Sequence, residues 1–202
     1  MSEPPASGGD LFDEPDGATP LDPDERGGLR QTWITFRDEL NQAEQKNVAD
    51  GEAWARRRKR RDILTESFLR DMHLRMFGDV WNWAGTFRTT ERNLGVDPAH
   101  IQVELRKAFD DARYWIEHAT FPPDEIAVRL HHRIVAVHPF PNGNGRTARM
   151  LADTFAIRNG MAPFTWGRGR LDDPGAVRRR YIDALQAADA YDLKPLLAFA
   201  RS

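Results

Sequence analysis

Residues 122–160 read PPDEIAVRLHHRIVAVHPFPNGNGRTARMLADTFAIRNG, and the fold can be reasoned outward from them. Pro122-Pro123-Asp124-Glu125 is a helix opening, because proline is pre-organised for a first turn. Ile126, Leu130, Ile134 and Val137 then recur at helical spacing and give the segment one apolar face. Pro139 ends it: the ring has no N–H for a further turn and biases His138 away from helical dihedrals. A second helix is predicted from about Asn144 to Arg158, with Asn159-Gly160 as its stop. Two helices therefore flank a loop and first turn, HPFPNGNGRTAR, that place one histidine, two glycines, two asparagines and two arginines in twelve positions.

The same rhythm runs on either side. Phe36, Leu40, Ala43 and Asn47 keep helical spacing, as do Phe68, Leu69, Met72 and Met76 behind Thr65, an expected N-cap. Asp97-Pro98 opens a helix with the stripe Ile101, Leu105, Ala108, Ala112 and Trp115. Two more follow, Pro174 to Ala188 behind Asp173 and Leu193 to Ala200 behind Asp192. Only GTFRTTERNLGV, residues 85–96, looks extended, and it is predicted as a short hairpin. The expected architecture is an all-α bundle carrying one β-hairpin flap. Trp54, Trp81, Trp83 and Trp115 are assigned to its core.

The 202 residues suit one domain plus a tail. Residues 1–28 hold eight acids and a single arginine among prolines and glycines, too few apolar groups to offset ordering, and are predicted to be disordered. The domain is expected at 29–202. Outside the tail, 28 basic residues face 23 acidic ones, a mild excess that suits an anionic ligand but falls short of a nucleic-acid binder. No cysteine is present, which excludes disulfides and thiolate zinc sites. Neither a long apolar span nor a signal peptide is evident, and the expected location is the cytoplasm, away from membranes.

The loop carries the chemistry. Phe140 is its one large apolar group and would pin it to the interior. Gly143, Asn144 and Gly145 enter the next helix, where successive N–H groups form an anion-binding concavity. Arg146 lies in the first turn, and Arg149 follows on the same face. A phosphate nest beside an imidazole describes a polyphosphate site with a base, His138, for an attacking hydroxyl.

HPFPNGNGRTAR resembles the signature of the Fic (filamentation) family, H-x-F-x-(D/E)-G-N-G-R-x-x-R, with seven of its eight specified positions matched: His138, Phe140, Gly143, Asn144, Gly145, Arg146 and Arg149. The stretches FGDVWNWAGTFR, DEIAVRLHHRIVAVHPFPNGNGR and YIDALQAAD resemble its mobile mystery protein B subgroup, associated with mobile elements and here linked to a toxin–antitoxin-like setting. The resemblance implies transfer of AMP, or another nucleotide monophosphate, from a nucleoside triphosphate to a Ser, Thr or Tyr hydroxyl of a target protein. It implies His138 as the base, Gly143, Asn144 and Gly145 at the phosphates, and Arg146 and Arg149 on the β- and γ-phosphates. The flap residues Thr86, Phe87, Arg88, Thr89 and Thr90 would dock the target, by strand addition that needs little side-chain complementarity. A separate regulatory partner is left open.

Asn142 departs from the pattern, standing where the family has the Asp or Glu that helps hold Mg²⁺. An amide oxygen brings no charge, so magnesium is expected to be weakly held, mainly through the nucleotide. The resemblance also suggests an inhibitory (S/T)-x-x-x-E-(G/N) segment: TFRDELN supplies Thr35 and Glu39, with Leu40 in place of Gly or Asn, and Glu39 would pair with Arg149. Two alternatives stand beside transfer of a nucleotide monophosphate. One is a weak or silent nucleotide- or partner-binding module; the other is a Doc-like phosphotransferase, against which Gly145 speaks. RRRKRR at 56–61 and RRR at 178–180 are assigned to solvated helix faces. His131 and His132 read as packed polar groups near the end of their helix, without carboxylates at zinc-binding spacing. Tyr181 is a candidate neighbour of the nucleotide.

Overall fold

The computed structural model describes residue 11 and residues 23–57, 62–168 and 174–202. Among them the helices are α1 (Pro23–Arg26), α2 (Arg37–Arg57), α3 (Glu66–Phe77), α4 (Ile101–Glu117), α5 (Pro123–Val137), α6 (Asn144–Arg158), α7 (Pro174–Asp189) and α8 (Lys194–Arg201), with a 3₁₀ turn at Pro98–His100 before α4. The boundaries follow local chemistry. Thr65 accepts the Phe68 N–H at 3.2 Å and starts α3; Asp97 accepts the Ala99 N–H at 2.8 Å and starts the 3₁₀ turn. α6 ends at Arg158, and Gly160, at φ +75°, belongs to the stop expected at Asn159-Gly160.

Helices α5 and α6 are the spine. α4 lies against α5, α3 and α8 reach the α5–α6 pair, and α2 and α7 pack on α3 and α8. Phe68, Leu69, Met72, Met76 and Phe77 of α3 meet Leu130 and Ile134 of α5 and Leu151 and Ala152 of α6 in one buried cluster. Trp81 is buried in it; Trp54, Trp83 and Trp115 are partly buried against it. At about 25 cal/mol per Å² of apolar surface removed from water, a core this continuous dominates the stability of the domain.

The expected hairpin is not what forms. Residues 86–96 run as irregular coil with bends, and the sole β-bridge among the described residues joins Leu29 to Trp81. The cause is the hydrogen bonding of the two arms. The Thr90 and Val96 carbonyls accept from the Arg88 guanidinium. The arms' own N–H groups reach elsewhere: Arg88 N–H to Pro139 O at 2.9 Å, and Val96 N–H to Val137 O at 3.3 Å. The flap is thus fastened to the α5–α6 loop instead of being paired with itself.

Within residues 23–28, the Glu25 carbonyl accepts from Trp83 Nε1 at 3.0 Å, and the Glu25 carboxylate pairs with Arg92. The rest of the predicted tail, apart from residue 11, lies outside the described residues, as do residues 58–61 of the basic run. No described helix is long and apolar enough to cross a membrane.

Candidate functional site

His138 is the residue after the last turn of α5. Its N–H donates to Ile134 O at 3.1 Å, and it adopts the left-handed conformation, φ 53° and ψ 58°. That conformation costs a non-glycine residue roughly 1–2 kcal/mol and persists only where the surroundings enforce it. Here they do. The His138 carbonyl accepts from Arg88 Nε at 2.7 Å. The imidazole hydrogen-bonds the Val135 carbonyl, so the ring nitrogen that donates there is protonated and the other carries the lone pair of a base. Burial, and then the positive charges of Arg88 and Arg92, lower the imidazole from 6.5 to about 4. At neutral pH the ring is uncharged, as a proton acceptor must be.

The loop that follows is locked from three directions. The Asn144 side-chain amide clamps Phe140, accepting its N–H and donating to its carbonyl, both at 2.8 Å. Phe140 is fully buried and stacks on His73 with ring centroids 3.7 Å apart. His73 accepts the Gly85 N–H on Nδ1 at 2.9 Å, which places its proton on Nε2, 3.1 Å from the Asn142 carbonyl. His73 thereby ties the start of the flap to the loop. Sequence reasoning passed over it, although a histidine four residues after Leu69 and three before Met76 lies on the buried stripe of α3.

The entrance of α6 is built from backbone. Gly143 caps α6 at φ +77°, and the Thr147 N–H makes the helix's opening bond, to Gly143 O, at 2.9 Å. The N–H groups of Asn144, Gly145 and Arg146 precede that bond and face the entrance of the helix. The Asn144 side chain, however, belongs to the loop clamp and leaves only its main chain for an anion. Arg146, one-third exposed, lies 4.7 Å from the Phe77 ring centre, and half-buried Arg149 lies 5.1 Å from that of Tyr181. Tyr181 also hydrogen-bonds Arg149. Its hydroxyl is 3.4 Å from where a Cβ on Gly145 would stand, at the lip of the nest. Behind it, His131 Nε2 meets the same hydroxyl at 3.1 Å, and His132 pairs with Asp189 at 2.8 Å.

Asn142 Oδ1 accepts the Gly143 N–H. It therefore offers a cation one neutral oxygen that is already engaged. The donor set at this position does not fit a resident magnesium ion, which favours charged oxygens.

Glu39 does not reach the arginines in the way the inhibitory pattern suggests. Its carboxylate accepts the N–H groups of Thr35 and Phe36 at 2.8 and 3.1 Å, capping the start of α2. These bonds lower its pKa. The carboxylate that meets a motif arginine is Glu44, buried, 2.7 Å from Arg146 Nη1, with its other oxygen on Trp81 Nε1 at 2.8 Å. Of the flap residues, Thr86, Thr89 and Thr90 are exposed and Phe87 packs on Phe140 with centroids 5.3 Å apart. Arg88 is buried and turned inward, so its side chain cannot touch a docked target.

The buried histidines have a consequence for stability. His73, His131 and His138 all titrate below the ordinary 6.5, chiefly through burial, His73 at about 3. As pH falls through 6.5 the unfolded chain gains protons that the native state refuses, so stability falls. The thermal midpoint is expected to decline between about pH 6.5 and pH 5, above the carboxylate range. A midpoint independent of pH across that window would contradict the burial of these rings.

Residues 63–156 match the model of the Fic/DOC family. The chain carries a Fic/DOC family domain. It is 31% identical over 149 residues to protein adenylyltransferase fic-1 of Caenorhabditis elegans, covering 70% of this chain but 27% of that protein. The structure of C. elegans Fic-1 residues 134–508 superposes with a TM-score of 0.62 at 28% identity, covering 78% of this chain and 48% of that one. The Fic domain of a Bartonella quintana effector with bound ADP superposes at 0.67 with 17% identity, covering 88% and 94%, a likeness of fold. The chain thus spans about a quarter of the length of the curated relative it matches.

Proposed function

We propose that this Fic domain transfers AMP from ATP to a serine, threonine or tyrosine hydroxyl of a target protein. The reading is supported by His138 at the C-cap of α5, its imidazole uncharged at neutral pH, and by the Gly143-capped entrance of α6 that follows it in the chain with Arg146 and Arg149. The target hydroxyl oxygen attacks the α-phosphorus, its proton passes to His138, a phosphoester forms, and pyrophosphate leaves. The α6 amides and Arg146 and Arg149 stabilise the charge that builds on the phosphates. Magnesium arrives with the triphosphate as part of the substrate. The adenylyltransferase relative and the ADP-bound neighbour support the nucleotide. The 86–96 segment, with Thr86, Thr89 and Thr90 exposed, offers backbone along which a target strand can lie. Labelled ATP, GTP, CTP and UTP incubated with lysate, followed by mass spectrometry of the labelled bands, test the reading. Addition of AMP supports it; addition of phosphate, or of nothing, overturns it.

Regulation belongs to the same site. An arginine paired with Glu44 is withheld from the triphosphate, so we infer that Glu44, not Glu39, acts as a brake. Glu44→Gln keeps an acceptor for Trp81 while releasing the charge. It is expected to raise ATP affinity about tenfold, the worth of one charge-assisted hydrogen bond. Calorimetry measures this, and equal affinities for the two proteins would remove Glu44 from the role.

A further inference from the structure

We propose that Arg88 is a positioning residue for the transfer reaction, one guanidinium that holds both arms of the target-docking segment and the backbone of His138 in a fixed relation. The inference rests on the adenylyl-transfer reading above for the reaction, but the geometry stands by itself. Arg88 Nε donates to His138 O at 2.7 Å and Nη1 to Thr90 O at 2.8 Å, while Nη2 reaches Val96 O and, at 3.5 Å, Val137 O. Four carbonyls from three places in the chain converge on one buried cation. Each is a charge-assisted bond, and the planar donor set fixes direction as well as distance. The main chain of Arg88 adds a fifth tie, to Pro139 O.

The packing leaves no slack. At Gly95, where φ is +101°, a Cβ would stand 2.6 Å from His138 Cβ and 2.7 Å from Arg88 Nη2. The returning arm therefore touches both the histidine and the arginine through bare backbone. A hairpin would have joined the arms by main-chain bonds; here a side chain substitutes for them. The flap and the histidine move as one body. The charge has a second effect, because the charged groups facing the His138 ring are Arg88 and Arg92, both from the 86–96 segment, while α5 presents the neutral Val135 carbonyl. Removing the Arg88 charge lets the ring titrate closer to its ordinary 6.5.

The test compares wild type with Arg88→Lys and Arg88→Gln, each checked for native circular dichroism. Amide hydrogen exchange at residues 88 and 96 is expected to speed up about tenfold or more in both variants, since neither presents the same set of donors. NMR titration of the His138 ring is expected to move toward 6.5 in Arg88→Gln and to stay near wild type in Arg88→Lys, which keeps the charge. The acidic limb of kcat/KM for target modification should follow the same split, and KM for target should rise more than KM for ATP. If wild type transfers nothing, the reading of the reaction fails while exchange and titration still judge Arg88. Unchanged amide protection and an unchanged His138 midpoint in both variants overturn the proposal. Should the variants not fold, exchange of the Arg88 Nε–H in wild type decides: slow exchange supports the buried clamp, and exchange at the solvent rate refutes it.

Discussion

Replacing His138 by Asn is expected to reduce transfer by 10²–10⁴-fold, roughly the contribution of a positioned general base. Asn is the informative choice because it tolerates the left-handed backbone that His138 adopts, and the carbonyl gripped by Arg88 is main chain and survives the change. His138→Ala should lose as much activity, with a further loss of stability from the strained φ. ATP affinity should be unaffected by either, since the α6 amides and arginines hold the phosphates. The wild-type pH profile carries the same claim. Transfer needs the unprotonated ring, so its acidic limb is expected near pH 4 and not at 6.5, leaving the rate flat from about pH 5 to neutrality. A limb at 6.5, or an Asn variant that keeps a tenth of the wild-type kcat, would show that some other group takes the proton.

The helices were legible because their ends are set by neighbours a few residues away. Thr65, Asp97-Pro98, Pro123 and Asn159-Gly160 act within one turn, and the helices begin or end within a residue or two of them. The loop motif was legible for a similar reason: Gly143, Asn144, Arg146 and Arg149 are neighbours in sequence before they are neighbours in space. What failed was long-range. The extended composition of 85–96 suggested two paired arms, but a buried guanidinium that takes the carbonyls of Thr90 and Val96 leaves no ladder to form. Glu39 and Glu44 share α2, and a local pattern prefers Glu39. The packing of α2 against α3 and α6 instead brings Glu44 to Trp81 and Arg146. Glu39 stays at the helix start, where a carboxylate is favoured by exposed N–H groups. His73 illustrates the same limit, since its two hydrogen bonds join segments 12 and 69 residues away.

Gly143→Ala is expected to cost about 2–5 kcal/mol of stability and to abolish measurable ATP binding, from two independent effects. At φ +77° any side chain pays the left-handed penalty, about 1–2 kcal/mol. The added Cβ would also stand 2.6 Å from Cε2 and Cζ of Phe77. That ring is buried with its centroid 4.7 Å from the His73 ring, and it lies beneath Arg146, so it cannot turn away without disturbing the histidine that anchors the loop and the arginine meant for phosphate. Overpacking of this kind typically costs 1–3 kcal/mol. The loop must then shift, and the amides of residues 144–146 shift with it. Urea denaturation and calorimetric ATP titration measure the two losses. The double variant Gly143→Ala, Phe77→Leu separates the causes: it should recover the steric part and some ATP binding but retain the dihedral penalty. A Gly143→Ala protein as stable as wild type and equally avid for ATP would mean that the entrance of α6 yields easily, and that rigidity at this corner does not hold the nucleotide.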